Sequence, residues 1–201
     1  MIFEQSFSIL LFKGEMDVKD EIISEDKEKQ NEYIQEDEKN FLEYRVMEEV
    51  IKRGMTIATA ESCTGGMVAA RLINYPGASQ AFVNGMVTYT NESKHRLLGV
   101  KNETLEKYGA VSPQTAEEMC LGVAKVSGTD IGLSTTGIAG PDGGTAEKPV
   151  GLVYIGVAIN GRAVVRKLLN KGSRNMIRTA STTAVIELLK EELKNTEDQN
   201  G

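Results

Sequence analysis

The chain has 201 residues and a formal net charge of −6, enough for one domain of ordinary size with an apolar core. Residues 15–39 carry eleven acidic side chains and four lysines, so most of the net charge lies there. No basic stripe with interleaved aromatic residues is present, which argues against a nucleic-acid partner. Two cysteines and one histidine cannot build a Cys- or His-rich zinc site, so no metal is expected.

The chain also lacks the signals of membrane insertion and export. No apolar run reaches the roughly 20 residues needed to span a bilayer, so we predict no membrane partner. The apolar start of the chain has no basic leading region and no small-residue cleavage site, which is atypical of a signal peptide. Two cysteines do not form a disulfide scaffold in a chain of this length, which favours the reducing cytoplasm.

Composition divides the chain into three parts. Residues 1–37 are rich in charge and poor in core residues, which predicts a flexible or loosely helical extension. Apolar residues recur at helical spacing from about residue 38 onward, and we predict one folded domain over residues 38–194. Residues 195–201 form a polar tail.

Periodicity, turn residues and helix caps predict the element order α-β-α-β-α-α-α-β-β-β-α within that domain. The more definite features are a helix before Gly54, strands at 55–60 and 80–90, a helix from Thr64 that ends before Pro76, an interruption of the second strand at Asn84-Gly85 by a bulge or turn, a helix from Ser112 to Gly128, a hairpin at Asn160-Gly161 and a last helix from Ser173. Helices interleave with apolar strands, and one hairpin comes late. We therefore predict an α/β fold, a three-layer α/β/α sandwich with a mixed sheet.

The stretch AESCTGGMVAARL, residues 60–72, places Ser62 where a strand ends and a helix begins. Gly65 and Gly66 let backbone N–H groups approach a ligand, and the start of a helix stabilises an anion. A serine at this point could attack a carbonyl carbon while the N–H groups hold the oxyanion. Alternatively, Ser62 or Thr64 only caps the helix, since the stretch is not the G-x-S-x-G turn of hydrolases.

A serine nucleophile needs a base, and the stretch YTNESKHR offers candidates. Tyr89 comes at a strand end and Lys94 one turn into the next helix, so both are expected at the same end of the sheet as Ser62. A lysine can act as a base where burial keeps it neutral; the alternative is that Lys94 is a surface charge. His95 has no evident acidic partner, so a surface or packing role is favoured for it.

The sequence STTGIAGPDGGTAEKPVG is a strand that runs into a glycine-rich loop. Ligands of open α/β sheets bind beyond the carboxyl ends of strands, and long loops in compact domains are often functional. Thr136, Gly137, Gly140 and Gly144 would suit a phosphate or a ribose. The loop is neither a Walker loop nor G-x-G-x-x-G, and a plain connection is the alternative.

Two arginines, Arg174 and Arg178, open the last helix one turn apart. They could clamp a phosphate or simply be solvated. The sequence does not separate these two possibilities.

Taken together, TIATAESCTGG, YTNESKHRLLGV, GAVSPQTAEEM and TTGIAGPDGGTAEKPVGLVYIGVA, in this order and at these separations, closely resemble the CinA C-terminal domain family. Its members include nicotinamide-nucleotide amidohydrolases (NMN deamidases, PncC). The resemblance covers roughly residues 38–192. Many CinA proteins carry a further large N-terminal domain, for which residues 1–37 are too short and too polar, so only the amidohydrolase part is carried over.

The resemblance implies hydrolysis of nicotinamide mononucleotide (NMN) to nicotinate mononucleotide and ammonia on a three-layer α/β/α fold without metal or cofactor. It implies that Ser62 is the nucleophile, Lys94 the preferred base, and Tyr89 an assisting hydrogen-bond partner. Cys63 is left as a neighbour without a chemical role. The residues implied or expected to bind substrate are Thr64, Gly65, Gly66, Thr136, Gly137, Gly140, Gly144, and Arg174 or Arg178.

Two other functions remain open at the level of sequence. One is a non-catalytic nucleotide-binding or regulatory module, and the other is an amidase that acts on a different carboxamide. In each case the partner is a small molecule, and the resemblance implies a homo-oligomer such as a dimer.

Overall fold

The computed structural model describes residues 41–198. The predicted extension 1–37 and the end of the polar tail lie outside the described residues. The described helices are α1 (Leu42–Lys52), α2 (Met67–Leu72), α3 (Asn91–Leu98), α4 (Asn102–Tyr108), α5 (Pro113–Ser127) and α6 (Arg174–Asp198). The strands are β1 (Ile57–Glu61), β2 (Phe82–Val87), β3 (Ile131–Gly137), β4 (Leu152–Ile159) and β5 (Arg162–Leu169), and a short 3₁₀ turn spans Ala78–Gln80. The predicted element order is confirmed.

The five strands form one mixed sheet in the order β2-β1-β3-β4-β5. Strand β1 runs parallel to both β2 and β3, whereas β3-β4 and β4-β5 are antiparallel pairs. The carboxyl ends of β1, β2 and β3 therefore meet at one edge of the sheet. Every residue that the sequence singles out near a strand end is brought to this edge.

Helices cover both faces of the sheet, which confirms the three-layer prediction. Helices α1, α2 and α6 share one apolar cluster with inward residues of β1, β3 and β4, among them Ile57, Leu133 and Ile155. The opposite face of β1, with Ala58 and Ala60, packs against α3, α4 and α5. Helix α5 lies very close to the sheet. Position 132 on β3 is a glycine, and a Cβ there would overlap the backbone of α5.

The predicted caps of α5 and the predicted hairpin are also confirmed. The Ser112 hydroxyl accepts a hydrogen bond from the Thr115 amide at 3.2 Å, and α5 ends at Gly128 with φ of 64°. At the β4-β5 turn, Asn160 and Gly161 have φ of 49° and 81°. Positive φ at both central residues is typical of the two-residue turns that suit the twist of a hairpin.

The predicted start of the second helix is wrong, and the predicted interruption of the second strand is only partly right. The helix predicted from Thr64 begins only at Met67, because the residues after Ser62 form a turn with Gly66 at φ of 97°. The second strand has no turn at Asn84-Gly85, but its pairing with β1 is irregular just before, between Phe82 and Asn84. Gly85 is explained by packing, since a Cβ there would lie 3.0 Å from the Cβ of Ala69 on α2.

Candidate active site

Ser62 is the first residue after β1, at the edge where the parallel strands end. Its amide donates a 2.9 Å hydrogen bond to the Thr135 carbonyl of β3, which holds the start of the turn against the sheet. Ser62 is 8 % exposed and lies on the wall of a cavity of about 250 Å³.

Lys94 is directed at Ser62 by the start of helix α3. Thr90 and Ser93 form a reciprocal capping box, in which the Thr90 hydroxyl accepts from the Ser93 amide and the Ser93 hydroxyl from the Thr90 amide. With the helix start fixed, Lys94 Nζ lies 3.1 Å from Ser62 Oγ and 2.9 Å from the Thr88 carbonyl oxygen. Lys94 is 1 % exposed, so the alternative of a surface charge is wrong.

Burial lowers the pKa of the Lys94 ammonium to about 8. The cause is the loss of hydration, which penalises the charged form. Among the described residues no carboxylate pairs with Nζ; its hydrogen-bond partners are the Ser62 hydroxyl and the Thr88 and Tyr89 carbonyls. A lysine in this state is a usable proton acceptor near pH 8, and its amine lies within hydrogen-bond distance of the hydroxyl of Ser62.

Cys63, the other potential nucleophile on the cavity wall, is 5 % exposed. Burial raises the pKa of its thiol to about 11. The reactive form of cysteine is the thiolate, which is scarce at neutral pH when the pKa is this high. The Ser62 hydroxyl, in contrast, accepts a hydrogen bond from Lys94 Nζ at 3.1 Å.

Tyr89 and Arg174 form a bridge across one side of the cavity. Arg174 donates one hydrogen bond to the Tyr89 hydroxyl at 3.1 Å and another to the Gly140 carbonyl at 2.8 Å. Within the described part of the chain, the Tyr89 hydroxyl makes no hydrogen bond with Ser62 or Lys94. Only its backbone carbonyl approaches the lysine, at 3.4 Å from Nζ.

Arg178 lies one turn further along α6 and has a different environment. Its guanidinium donates to the carbonyl oxygens of Cys63 and Thr64, at 3.1 and 2.7 Å. It is not among the residues that line the cavity, whereas Arg174 is. The structure thus separates two arginines that the sequence could not distinguish.

Beyond Cys63, the turn after Ser62 does not line the cavity. Thr64, Gly65 and Gly66 are absent from the cavity lining. The donors at the start of α2 instead bind the buried carboxylate of Glu61, which sequence reasoning missed. Its Oε2 accepts from Thr64 Oγ1 (2.6 Å) and from the amides of Gly66 (2.9 Å) and Val68 (3.1 Å), and its Oε1 accepts from the Ala69 amide (2.8 Å).

The glycine-rich loop between β3 and β4 forms much of the opposite wall. Gly137, Gly140 and Thr136 line the cavity, and the Thr136 hydroxyl donates to the Ala110 carbonyl at 2.7 Å. Gly144 does not line the cavity; a Cβ there would lie 2.8 Å from the Val150 amide nitrogen, so its small size serves packing within the loop. The lining residues that the sequence did not single out are Ala110, Val111, Ile138, Ala139, Asp142 and Gly143.

His95 stays outside this arrangement. Its Nδ1 lies 2.8 Å from the Val100 carbonyl oxygen at the far end of α3, and the residue does not line the cavity. In the stretch described, 41–198, no cluster of three or more His, Cys, Asp or Glu side chains could hold a metal ion. No helix of that stretch is both long and apolar enough to cross a membrane.

Comparison with known proteins identifies the family and the fold of the chain. A family model for the CinA C-terminal domain matches residues 39–193. A competence-damage inducible protein of Clostridium acetobutylicum is 58 % identical over 146 residues, which are 73 % of this chain and 36 % of that protein. One from Clostridium beijerinckii is 56 % identical over 141 residues, 70 % of this chain and 34 % of that protein. The chain thus spans about a third of the length of these relatives.

Solved structures share the fold over nearly their whole length. The competence/damage inducible protein CihA from Agrobacterium tumefaciens superposes with a TM-score of 0.73 at 41 % identity, covering 76 % of this chain and 93 % of that one. A CinA superfamily protein from Klebsiella pneumoniae gives a TM-score of 0.74 at 32 % identity, covering 77 % and 96 %.

Burial of Lys94 makes the free energy of unfolding depend on pH in the alkaline range. Its folded-state pKa of about 8 lies below the usual 10.5, so below pH 8 both states are protonated and the full burial penalty is present. Between pH 8 and 10.5 only the unfolded chain keeps the proton, and the penalty is relieved as pH rises. Relative to Lys94→Met, wild type should therefore gain roughly 2–3 kcal/mol between pH 7 and pH 10.

Urea unfolding at the two pH values measures this difference. Lys125→Met, at an exposed lysine of α5, is the control for removal of a charge. A wild-type minus Lys94→Met difference that stays constant from pH 7 to pH 10 would contradict the lowered pKa.

Proposed function

The chain belongs to the CinA C-terminal domain family, and we propose that it hydrolyses the carboxamide of NMN to nicotinate mononucleotide and ammonia. The proposal rests on one observation above all, the contact of 3.1 Å between Lys94 Nζ and Ser62 Oγ on the wall of a cavity. A buried lysine with a lowered pKa next to a hydroxyl is the arrangement that activates a serine nucleophile.

In the first half of the reaction, the neutral Lys94 amine takes the proton of Ser62 as Oγ bonds to the carboxamide carbon. The carbonyl π electrons move to oxygen and give a tetrahedral oxyanion. When this intermediate collapses, the C–N bond breaks and Lys94 returns the proton to the departing nitrogen. Ammonia leaves, and the acyl group remains on Ser62 as an ester.

In the second half, a water molecule takes the place of ammonia. Lys94 accepts its proton while the hydroxide oxygen attacks the ester carbon, and the proton then passes to Ser62 Oγ as the C–O bond breaks. The product is the pyridine carboxylic acid, which ionises at neutral pH. One lysine thus acts first as base and then as acid in each half.

The backbone amide of Cys63 is the best available donor for the oxyanion. It follows the nucleophile directly, and its residue lines the cavity. The Gly65 amide is unsuitable, since it donates to the Ser62 carbonyl at 3.2 Å. A donor held by the turn itself requires no rearrangement when charge develops on the oxygen.

The remaining walls suit the two ends of a nucleotide. Val111, Ile138 and Ala139 offer apolar surface to a pyridine ring, while Arg174 lines the cavity with a guanidinium that can bind a phosphate in two-pronged fashion. Thr136 and Gly140 also line the cavity, and a hydroxyl and a backbone of this kind would suit a ribose. Arg178 is assigned no substrate contact, because it does not line the cavity and its guanidinium donates to backbone carbonyls of the turn.

A non-catalytic nucleotide-binding module explains less of this arrangement. Burying an ammonium without a carboxylate partner is costly, and binding of a nucleotide does not require it. An amidase for another carboxamide would use the same Ser62–Lys94 pair, and the two enzymes differ only in what the Arg174 end of the cavity accepts.

The direct test measures ammonia release from NMN. We expect turnover by the wild type and a loss of more than about a thousandfold in Ser62→Ala and Lys94→Met, because each removes a group that forms or breaks a bond. Ser127→Ala, which removes a hydroxyl on α5 that has no hydrogen-bond partner within the described region, is the matched control and should keep full activity. Wild-type turnover in Ser62→Ala would refute the assignment of the nucleophile.

The pH dependence of turnover gives a second test. Because only the neutral amine of Lys94 accepts a proton, kcat/KM for NMN should rise about tenfold per pH unit below pH 8 and level off above it. The midpoint should fall near the pKa of about 8 that burial gives to Lys94. A profile that is flat from pH 6 to pH 9 would exclude Lys94 as the base.

Removal of Arg174 should weaken binding of the substrate's phosphate and leave the reaction at the carboxamide unchanged. For Arg174→Met we expect a roughly ten- to hundredfold rise in KM for NMN, the effect of losing a charge-assisted hydrogen bond pair. Turnover of nicotinamide riboside, which lacks the phosphate, should change little. Equal losses on both substrates would show instead that Arg174 acts through the bridge to Tyr89.

A further inference from the structure

We propose that Glu61 is a positioning residue for Ser62, holding the turn that carries the nucleophile through a buried network that includes Thr64 and Thr135. The inference rests on the proposed function only in taking Ser62 as the reacting residue. Glu61 does not touch the cavity, and its effect would reach the substrate through the backbone of the turn.

The carboxylate of Glu61 is unusually placed for a charged group. The residue is 1 % exposed, and no ion pair is found for it among the described side chains. Four donors from the turn and from the first turn of α2 converge on its two oxygens within 2.6–3.1 Å. Together with the positive end of the helix they stabilise a charge that burial would otherwise make costly.

The network continues from Glu61 into the neighbouring strand. Thr64 Oγ1 lies 2.6 Å from Thr135 Oγ1. Thr64 has a single hydroxyl proton, which goes to the carboxylate, so it must accept the proton of Thr135. The carbonyl of the same Thr135 accepts the Ser62 amide at 2.9 Å. Strand β3 therefore fixes Ser62 directly and the far side of its turn through two hydroxyls.

Arg178 holds the same turn from outside. It donates to the carbonyls of Cys63 and Thr64. The turn is thus held by a carboxylate that accepts from N–H groups at its end and by a guanidinium that donates to two of its carbonyls.

Such support matters because the turn is not stiff by itself. Gly65 and Gly66 have φ of 61° and 97°, values that glycine adopts freely but that it also leaves freely. The proton transfer depends on a separation of 3.1 Å between Ser62 Oγ and Lys94 Nζ, and misplacement of a reacting group by about 1 Å can cost roughly a hundredfold in rate.

The experiment compares Glu61→Gln with wild type. A glutamine has nearly the same shape, but its NH₂ group must face at least one of the donors that the carboxylate accepts. We expect kcat for NMN to fall roughly ten- to a hundredfold with KM changed less than about twofold, since no substrate contact is lost. Backbone amides 66, 68 and 69 should exchange hydrogen faster than in the wild type.

Two threonine variants provide the controls. Thr135→Val removes the outer hydroxyl of the network and should lower kcat by less than Glu61→Gln; it also carries the test if Glu61→Gln does not fold. Thr59→Val makes the same change two residues before Glu61, at a buried hydroxyl without a hydrogen-bond partner in the described region, and should keep wild-type kcat. If Glu61→Gln or Thr135→Val shows faster exchange or lower stability but keeps the wild-type kcat, Glu61 has only a structural role. That result would overturn the inference.

A fluorophosphonate that labels active serines separates this inference from the substrate assignment. If the wild type releases no ammonia from NMN but Ser62 is labelled, the proposed function fails. The positioning role is then decided by the labelling rate. Slower labelling of Glu61→Gln or Thr135→Val than of Thr59→Val supports it, and equal rates overturn it. A wild-type Ser62 that neither reacts with the probe nor turns over NMN overturns both.

Discussion

The burial of one ammonium group explains much of the architecture around Ser62. Lys94 Nζ has lost its water and, within residues 41–198, has gained no carboxylate in return, only the oxygens of Ser62, Thr88 and Tyr89. Such a group loses its proton at a lower pH than an exposed lysine does, and the neutral amine next to a hydroxyl is a base. Two features hold Lys94 Nζ next to Ser62. The segment after β2 supplies the two carbonyls, and the capping box at Thr90 fixes the start of α3.

The mixed sheet brings Ser62 and Lys94 together, and it separates the residues that hold the turn from the segments that form the cavity. Parallel β2, β1 and β3 bring the lysine, the serine and the glycine-rich loop to one edge, while antiparallel β4 returns the chain beneath that loop. Glu61 and Thr135 pair across β1 and β3, and their polar side chains act on the turn from below. The cavity is thus formed by segments that leave the sheet, and its geometry is set by residues still within it.

Sequence reasoning predicted the fold better than the site. Caps and periodicity are local, so Ser112, Gly128 and the Asn160-Gly161 hairpin could be read directly. Ser62 and Lys94 were found as candidates, but only tertiary packing decides that Lys94 is buried. Glu61 was missed because a single carboxylate at a strand end leaves no periodic signal. The roles of Arg174 and Arg178 differ through contacts with segments more than thirty residues away.

The position of the phosphate follows from the same electrostatics. The start of α2 cannot bind it, since Glu61 already takes those donors. Nor can it lie beside Lys94, because a nearby negative charge raises the pKa of an ammonium and would protonate the base. Among the described residues that line the cavity, Arg174 is then the one cation left. A nucleotide in this cavity would therefore direct its phosphate to Arg174 and its uncharged carboxamide to Ser62, so that no negative charge beside Lys94 raises the pKa of the base.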